Sequence, residues 1–166
     1  MPNINLEAVL LEALDDERRA EAIYGAVIEK FGKVRPFVNI IEAERRHSAA
    51  IERQMTRLGF AIPANQWQGK CMAPATLAEA CRMAIEAEVE NIALYDRLLP
   101  AIADASVRQV LQNLQNASRD NHLPAFRRCL ERENGGSGSG GARDGQGSQG
   151  RHGRGRGRGP CGGFST

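Results

Sequence analysis

The sequence predicts an all-α protein, an antiparallel four-helix bundle made of two helical hairpins with a long crossover between them. Aromatic residues make up only 5% of the 166-residue chain. Ala, Leu, Glu and Arg are abundant, and this composition favours helices over strands. Four segments carry apolar residues three and four positions apart, which is the pattern of amphipathic helices. Their connections are short, long and short, as expected for two hairpins joined by one crossover.

Breaker residues set the bounds of the first two predicted helices. The first runs from about Leu6 to Phe31 and stops at Gly32. The second begins near Pro36, since proline suits the first helical turn, and runs to Leu58. The stretch GFAIPANQWQGKCMAPA then interrupts the helical pattern with two prolines and two glycines. It is the predicted crossover between the hairpins.

Caps define the other two predicted helices. Thr76 and Glu79 form a capping box, so the third helix begins there and runs to about Leu99. The fourth follows Asp104, a residue type that caps helix starts, and ends near Glu133. It contains Pro124, which removes one backbone donor and predicts a kink around His122.

The composition changes at residue 135. Fourteen of the 18 glycines lie in residues 135–166, together with five Arg and one Asp. This segment therefore carries +4, which leaves −2 for the rest of a chain of net charge +2. Such a segment cannot bury apolar surface, so the predicted division is a bundle over 1–133 and a disordered tail over 134–166.

The arginine-glycine repeats of this tail leave two interpretations open. Repeats of this kind bind nucleic-acid backbones electrostatically. The tail has a single aromatic residue, Phe164, for stacking on bases. We therefore favour a solubilising tail and keep nucleic-acid binding as the alternative.

Several classes of protein are excluded by what the sequence lacks. The N-terminus does not have the pattern of a signal peptide, and no apolar run approaches the ~18 residues of a membrane span. The four cysteines show no CxxC spacing that would indicate a zinc or rubredoxin-type site. Cys81 and Cys129 are predicted to be small core residues. A cytoplasmic protein with reduced cysteines that does not bind a membrane is the expectation.

Ionisable residues interrupt the apolar stripe of every predicted helix near its middle. Because isolated buried carboxylates are costly, a group of them directed at one core needs an explanation. The interrupting residues are Glu17 and Glu21 on the first helix, Glu44 and His47 on the second, Glu88 on the third, and Ser118 and His122 on the fourth.

The two hairpins also repeat one another. ERRAEAIY (17–24) and EVENIALY (88–95) both place Glu seven residues before Tyr. ERRHSAAI (44–51) and RDNHLPAF (119–126) both place His four residues before a bulky apolar residue. The repeat predicts that matching positions face each other around a pseudo-two-fold axis in the core.

This pattern resembles the ferritin-like superfamily, in particular its rubrerythrin-type members, over about residues 6–132. In that superfamily two helices each give one Glu and two others each give Glu-x-x-His, which together enclose two metal ions. The resemblance implies that Glu17 and Glu88 are the single glutamates, that Glu44 and His47 form one Glu-x-x-His, and that His122 belongs to the other. The segments EAEVENIALYDRLL and SRDNHLPAFRRCL are similar to sequences of a stand-alone prokaryotic branch of the superfamily.

Arg119 departs from the family pattern because it stands where the fourth Glu would be. With a guanidinium in the core, three carboxylates would balance one divalent ion, so we expect one iron or manganese ion more than two. Glu21 is an additional candidate ligand that would replace the missing carboxylate. Tyr24 and Tyr95 are candidate hydrogen-bond donors to the ligands, or else core residues.

The resemblance implies redox chemistry with oxygen or peroxide, which would make the protein a non-haem iron oxidoreductase. No rubredoxin module is present, so electrons would come from a separate protein, and a homodimer is expected from resemblance alone. The competing hypothesis is a metal-free relic acting as a structural or interaction protein. In that case Arg119 would pair with Glu88 or Glu17 in the core.

Overall fold

The computed structural model describes residues 5–135, and it confirms the predicted helical bundle. Residues 1–4 and 136–166 lie outside the described part. Nearly all of the predicted tail, and with it the predicted nucleic-acid binding, therefore lies outside the described residues. The described elements are α1 (Leu6–Phe31), α2 (Phe37–Leu58), α3 (Leu77–Leu98), a 3₁₀ turn (Leu99–Ala101), α4 (Ala105–Ala117), a π-helical turn (Ser118–His122) and α5 (Leu123–Gly135).

The ends of the helices follow the predicted signals. Gly59 follows α2 with φ +76, a left-handed conformation that favours glycine, and its N–H donates to the last turn. Thr76 and Glu79 form the predicted capping box at the start of α3. Asp104 caps α4 by accepting from the Val107 N–H at 2.9 Å. The strongest local signals therefore lie at the true boundaries.

The fourth predicted helix is divided into α4, a π-helical turn and α5. The Leu123 N–H donates to the Ser118 carbonyl, a wider turn than that of an α-helix. Pro124 follows directly and has no N–H to donate, so the regular ladder would be broken here in any case. The structure thus has a π-turn ending at His122 at the place where the kink was predicted.

Two apolar clusters fill the bundle core. One contains Leu10, Leu14 and Met55, with Tyr95 at its inner edge. The other contains Tyr24, Phe37 and Phe126, whose rings pack on one another, together with Val27, Cys81 and Cys129. The buried Glu and His residues belong to neither cluster.

The crossover is tied to α1 by polar contacts. Asp15 accepts from the Trp67 indole N–H at 2.8 Å and from the Gln66 amide at 2.6 Å. Arg18 donates to the Pro63 carbonyl at 2.8 Å. These contacts hold the crossover against the outer side of the first hairpin.

The prediction that Cys81 and Cys129 are merely small core residues was incomplete. Both side chains are fully buried, but they form a disulfide that joins α3 to α5. Their separation of 48 residues gave no indication of this pairing, which depends on how the two helices pack. The expectation of reduced cysteines is wrong for this pair.

Among the described helices, none has the length and apolar content needed to cross a membrane.

Candidate metal centre

Glu17, Glu44 and His47 form the first of two groups of ligand-type side chains in the bundle core. The imidazole Nδ1 of His47 lies 3.0 Å from Glu17 Oε2 and 3.0 Å from Glu44 Oε2. Glu44 and His47 are one helical turn apart on α2, so they share a face, and Glu17 reaches them from α1. Both carboxylates are buried, while the His47 side chain is 12% exposed.

Glu44, Glu88 and His122 form the second group. The His122 Nδ1 lies 3.1 Å from Glu44 Oε1 and 3.5 Å from Glu88 Oε2. All three residues are buried. Glu88 comes from α3 and His122 from the π-turn, so the second hairpin contributes this half of the site.

Glu44 is common to both groups, with one carboxylate oxygen facing each imidazole. The two imidazoles stack with centroids 5.5 Å apart and planes at 19°. Each group fits the geometric requirement for a metal site, since its ligand atoms all lie within 4.8 Å of one another. The sequence-predicted residues Glu17, Glu44, His47, Glu88 and His122 are therefore brought together in one cluster.

Two tyrosines hold the outer carboxylates in a crossed arrangement. Tyr95 on α3 donates to Glu17 Oε1 at 2.5 Å, and Tyr24 on α1 donates to Glu88 Oε1 at 2.7 Å. Each tyrosine thus donates a hydrogen bond to the glutamate of the other hairpin. One oxygen of each carboxylate is held by a hydroxyl, and the other oxygen faces a histidine.

Asn91 and Asp16 complete the polar core and were missed by the sequence analysis. The Asn91 amide donates to Glu17 Oε1 at 3.1 Å and to Asp16 Oδ2 at 2.8 Å. Its carbonyl accepts from the Ser118 hydroxyl at 2.8 Å. Asn91 lies three residues after Glu88 on the stripe that includes Tyr95, and this spacing was the available signal.

Arg119 is outside the cluster, which corrects its predicted place in the core. Its guanidinium lies 3.8 Å from Asp96 Oδ1, and its side chain is 46% exposed. Ser118 lies inward, as its place on the apolar stripe predicted, and bonds Asn91. The argument for a single ion assumed a buried guanidinium, so it loses its premise, and Arg119 does not pair with Glu88 or Glu17.

Glu21 is also away from the site, so the structure contradicts its predicted role as a replacement ligand. It accepts from Arg45 at 3.0 Å, and the Arg45 side chain is half exposed. Glu21 is one turn beyond Glu17 on α1, but the helix turns its carboxylate toward the surface of the first hairpin.

The protonation states of the site residues follow from their burial and from the short distances between their charged groups. Burial alone would lower the pKa of His47, but its hydrogen bonds to Glu17 and Glu44 outweigh burial and raise it to about 9. Burial would also lower the pKa of His122, but the nearby carboxylates of Glu44 and Glu88 outweigh burial and raise it to about 10. Burial and the adjacent Glu44 charge raise the pKa of Glu17 to about 7. Without metal, two imidazolium groups therefore neutralise the carboxylates near pH 7.

The polar atoms of the second group have positions that fit metal coordination better than hydrogen bonding among themselves. The buried His122 Nδ1 forms no hydrogen bond of normal geometry although two carboxylates are close to it. Buried polar atoms are nearly always hydrogen-bonded, so an orphan atom needs an explanation. A nitrogen and two carboxylate oxygens that converge without bonding one another are a typical donor set for a divalent metal.

A small cavity reaches the ligands from between α1 and α3. Its wall includes Glu44, Glu88, Tyr24 and Asn91, and Arg19 lies on its outer side. Its volume of about 10 Å³ is close to what one water molecule requires. The Arg19 guanidinium pairs with Asp16 at 2.9 Å above this space.

The fold and the cluster define the class: an all-α bundle with a buried carboxylate and histidine site that could hold metal. The chain belongs to the family described as "Uncharacterized protein domain (DUF2202)", whose model matches residues 7–139. It is similar to the crystal structure of hypothetical protein MJ0754 from Methanococcus jannaschii, with a TM-score of 0.71. That match has 21% identity and covers 81% of this chain and 85% of the other, so it supports the fold alone. No curated protein matches.

Proposed function

We propose that this chain is a ferritin-like metal-binding protein that holds iron or manganese in the Glu and His cluster. The observation that carries the proposal is the sharing of Glu44 between two groups, each completed by one further Glu and one His. The ligands would be Glu17, His47 and Glu44 for one ion, and Glu88, His122 and Glu44 for the other. Oxygen and imidazole donors suit both metals.

Two ions fit this donor set better than one. Three carboxylates with one divalent ion leave a net charge of −1, and with two ions they leave +1, so charge balance does not decide. The arrangement of the donor atoms supports two ions, because each imidazole Nδ1 faces its own pair of carboxylate oxygens. A single ion would leave one imidazole and one outer carboxylate without a role.

Redox activity toward oxygen or peroxide is the chemistry we propose for the loaded site. Two redox-active ions would supply electrons to a small oxidant that binds beside them. The role of the protein is to keep the ligands fixed, through the Tyr24 and Tyr95 hydroxyls, and to limit access to molecules that fit the small cavity. A separate protein would return the electrons.

Elemental analysis of protein purified without added metal tests this function directly. We expect up to two equivalents of iron or manganese per chain. A matched variant, Glu42→Gln, changes an exposed glutamate two residues from Glu44 and should keep the metal. Metal content near zero in the wild-type chain, also after incubation with Fe²⁺ or Mn²⁺, would remove the proposal.

A metal-free structural protein is the second candidate, and a specific observation favours it. His47 bonds both Glu17 and Glu44, so the first group is already satisfied in its protonated form. Thermal melting with and without a chelator separates the two candidates. A metal site loses stability when metal is withdrawn, since an ion that binds only the folded state stabilises it by mass action. A structural core would melt at the same temperature in both conditions.

A further inference from the structure

The Cys81–Cys129 disulfide lies on the same helix faces as one half of the proposed metal site. Cys81 is seven residues before Glu88 on α3, and Cys129 is seven residues after His122 along α5. Seven helical residues are about two turns, or roughly 10.5 Å. The disulfide therefore joins these two helices at one level, two turns from their ligands.

Because of the π-turn, the disulfide has an effect on the position of His122. His122 is the last residue of the π-turn, and Pro124 donates no hydrogen bond to the preceding turn. The regular hydrogen-bond ladder of α4 therefore does not continue into α5. A link between α5 and α3 supplies a constraint on the position of His122 that the helix itself does not.

The noncovalent contacts of the two histidines point the same way. His47 makes two hydrogen bonds of 3.0 Å to its carboxylates. The His122 Nδ1 makes none of normal geometry, and Glu88 is 3.5 Å from it. Helices α1 and α2, which carry all three residues of the first group, contain no cysteine.

We propose that the Cys81–Cys129 disulfide is a positioning element that sets Glu88 against His122 and so creates the second metal position. This inference rests on the proposed metal-binding function and assigns the two ions to unequal sites. The ion held by Glu17, Glu44 and His47 is independent of the disulfide. The ion held by Glu44, Glu88 and His122 is bound more weakly without it.

The test compares the metal-free wild-type chain with the double variant C81S and C129S. Each is titrated with Mn²⁺ by calorimetry, and electron paramagnetic resonance distinguishes a coupled pair of ions from an isolated one. We expect the variant to keep the first ion and to bind the second about tenfold to a hundredfold more weakly, the usual cost of losing support around a ligand. Its spectrum should be that of isolated Mn²⁺.

Several outcomes overturn the inference. Unchanged binding of both ions, or equal weakening of both, would show that the disulfide only stabilises the fold. Free thiols at Cys81 and Cys129 in the native protein, found by mass spectrometry of alkylated peptides, would do the same. If the double variant does not fold by circular dichroism, C81A with C129V keeps an apolar core for the titration. A wild-type chain that binds no Mn²⁺ would instead remove the proposed function on which the inference rests.

Discussion

Glu44 faces both imidazoles, with one oxygen about 3 Å from each Nδ1. Burial tends to raise the pKa of Glu44, but the close approach of His122 and His47 outweighs burial and lowers it. This carboxylate is therefore ionised in a pH range where Glu17, whose pKa is raised to about 7, is still largely protonated. No other ligand contacts both groups, so its charge has the widest effect in the site.

Replacing Glu44 by Gln should abolish binding of both ions. The amide keeps the volume of the side chain, but it loses the negative charge and has one oxygen where the carboxylate has two. Glu17→Gln should remove one ion and leave the other, since Glu17 belongs to a single group. Calorimetric titration with Mn²⁺ measures both effects. If Glu44→Gln retained two ions, a bridging role for Glu44 would be excluded.

The two tyrosines predict an effect across the hairpins. Tyr95→Phe removes the hydroxyl that holds Glu17, so it should weaken the ion at Glu17 and His47 by about tenfold or more. Tyr24→Phe should weaken the ion at Glu88 and His122 instead, although Tyr24 lies on the same helix as Glu17. The relative loss of each Mn²⁺ site in the two variants is the measurement. The opposite assignment of the two losses would contradict the crossed arrangement.

The ligand residues could be predicted from the sequence, but the surroundings of the ligands could not. Glu17 and Glu88 stand out because charge on an apolar stripe is rare and the two hairpins repeat it, and Glu44 because it precedes His47 on such a stripe. Arg119 was misplaced because it was matched to the Glu of a Glu-x-x-His motif, whereas the apolar stripe placed Ser118 toward the core. Pro124 indicates an interruption there, but nothing local shows that the turn widens.

At the scale of elements, capping and helix-breaking residues were sufficient to predict where the helices begin and end. They were not sufficient to predict which helices contact each other. Gly59, Thr76 and Asp104 act within a few residues of their own positions, so their effect can be inferred from sequence alone. The pairing of Cys81 with Cys129 depends on how α3 packs on α5. The same holds for the contacts between the crossover and α1.

The crossover contacts give a prediction at this scale. Asp15→Ala removes the acceptor of both Trp67 and Gln66, so we expect a loss of about 1 to 2 kcal/mol in the free energy of unfolding. Trp67 is the only tryptophan, and its fluorescence should shift to the red as its indole gains solvent. Urea unfolding followed by this fluorescence measures both effects.

Glu12→Ala is the matched control for that experiment. Glu12 is on the same helix and pairs with Arg97, but both side chains are about half exposed. Exposed ion pairs contribute about 0 to 1 kcal/mol, so the control should change stability little and leave the fluorescence unchanged. Equal effects of the two substitutions would show that Asp15 does not anchor the crossover.

At the scale of the whole molecule, the polar cluster is joined to both apolar clusters of the core, since Tyr95 of one bonds Glu17 and Tyr24 of the other bonds Glu88. Leu10, Leu14 and Met55 belong to one, and Phe37 and Phe126 to the other. Because the centre is buried between the helices, a change in its protons or its metal alters the free energy of unfolding of the whole chain.

The stability of the metal-free protein should therefore fall as the pH rises. The folded pKa values of His47 and His122 are about 9 and 10, above the ordinary value of 6.5. Their contribution is fully present below about pH 6.5 and is lost as the pH rises through 9 to 10, because the folded state binds more protons than the unfolded state in that range. Glu17, with its pKa raised to about 7 from 4.5, acts in the same direction at lower pH.

Metal should reverse this trend, because each ion requires the imidazole that binds it to be neutral and so displaces one proton. Each displaced proton raises metal affinity by about tenfold per pH unit until the imidazole pKa is passed. Melting temperatures measured from pH 6 to pH 10, with and without Mn²⁺, should diverge as the pH rises. The double variant H47Q with H122Q should flatten the metal-free curve and remove the response to Mn²⁺. A metal-free curve of equal slope in the wild type and this variant would show that the two imidazoles do not carry the protons that stabilise the fold.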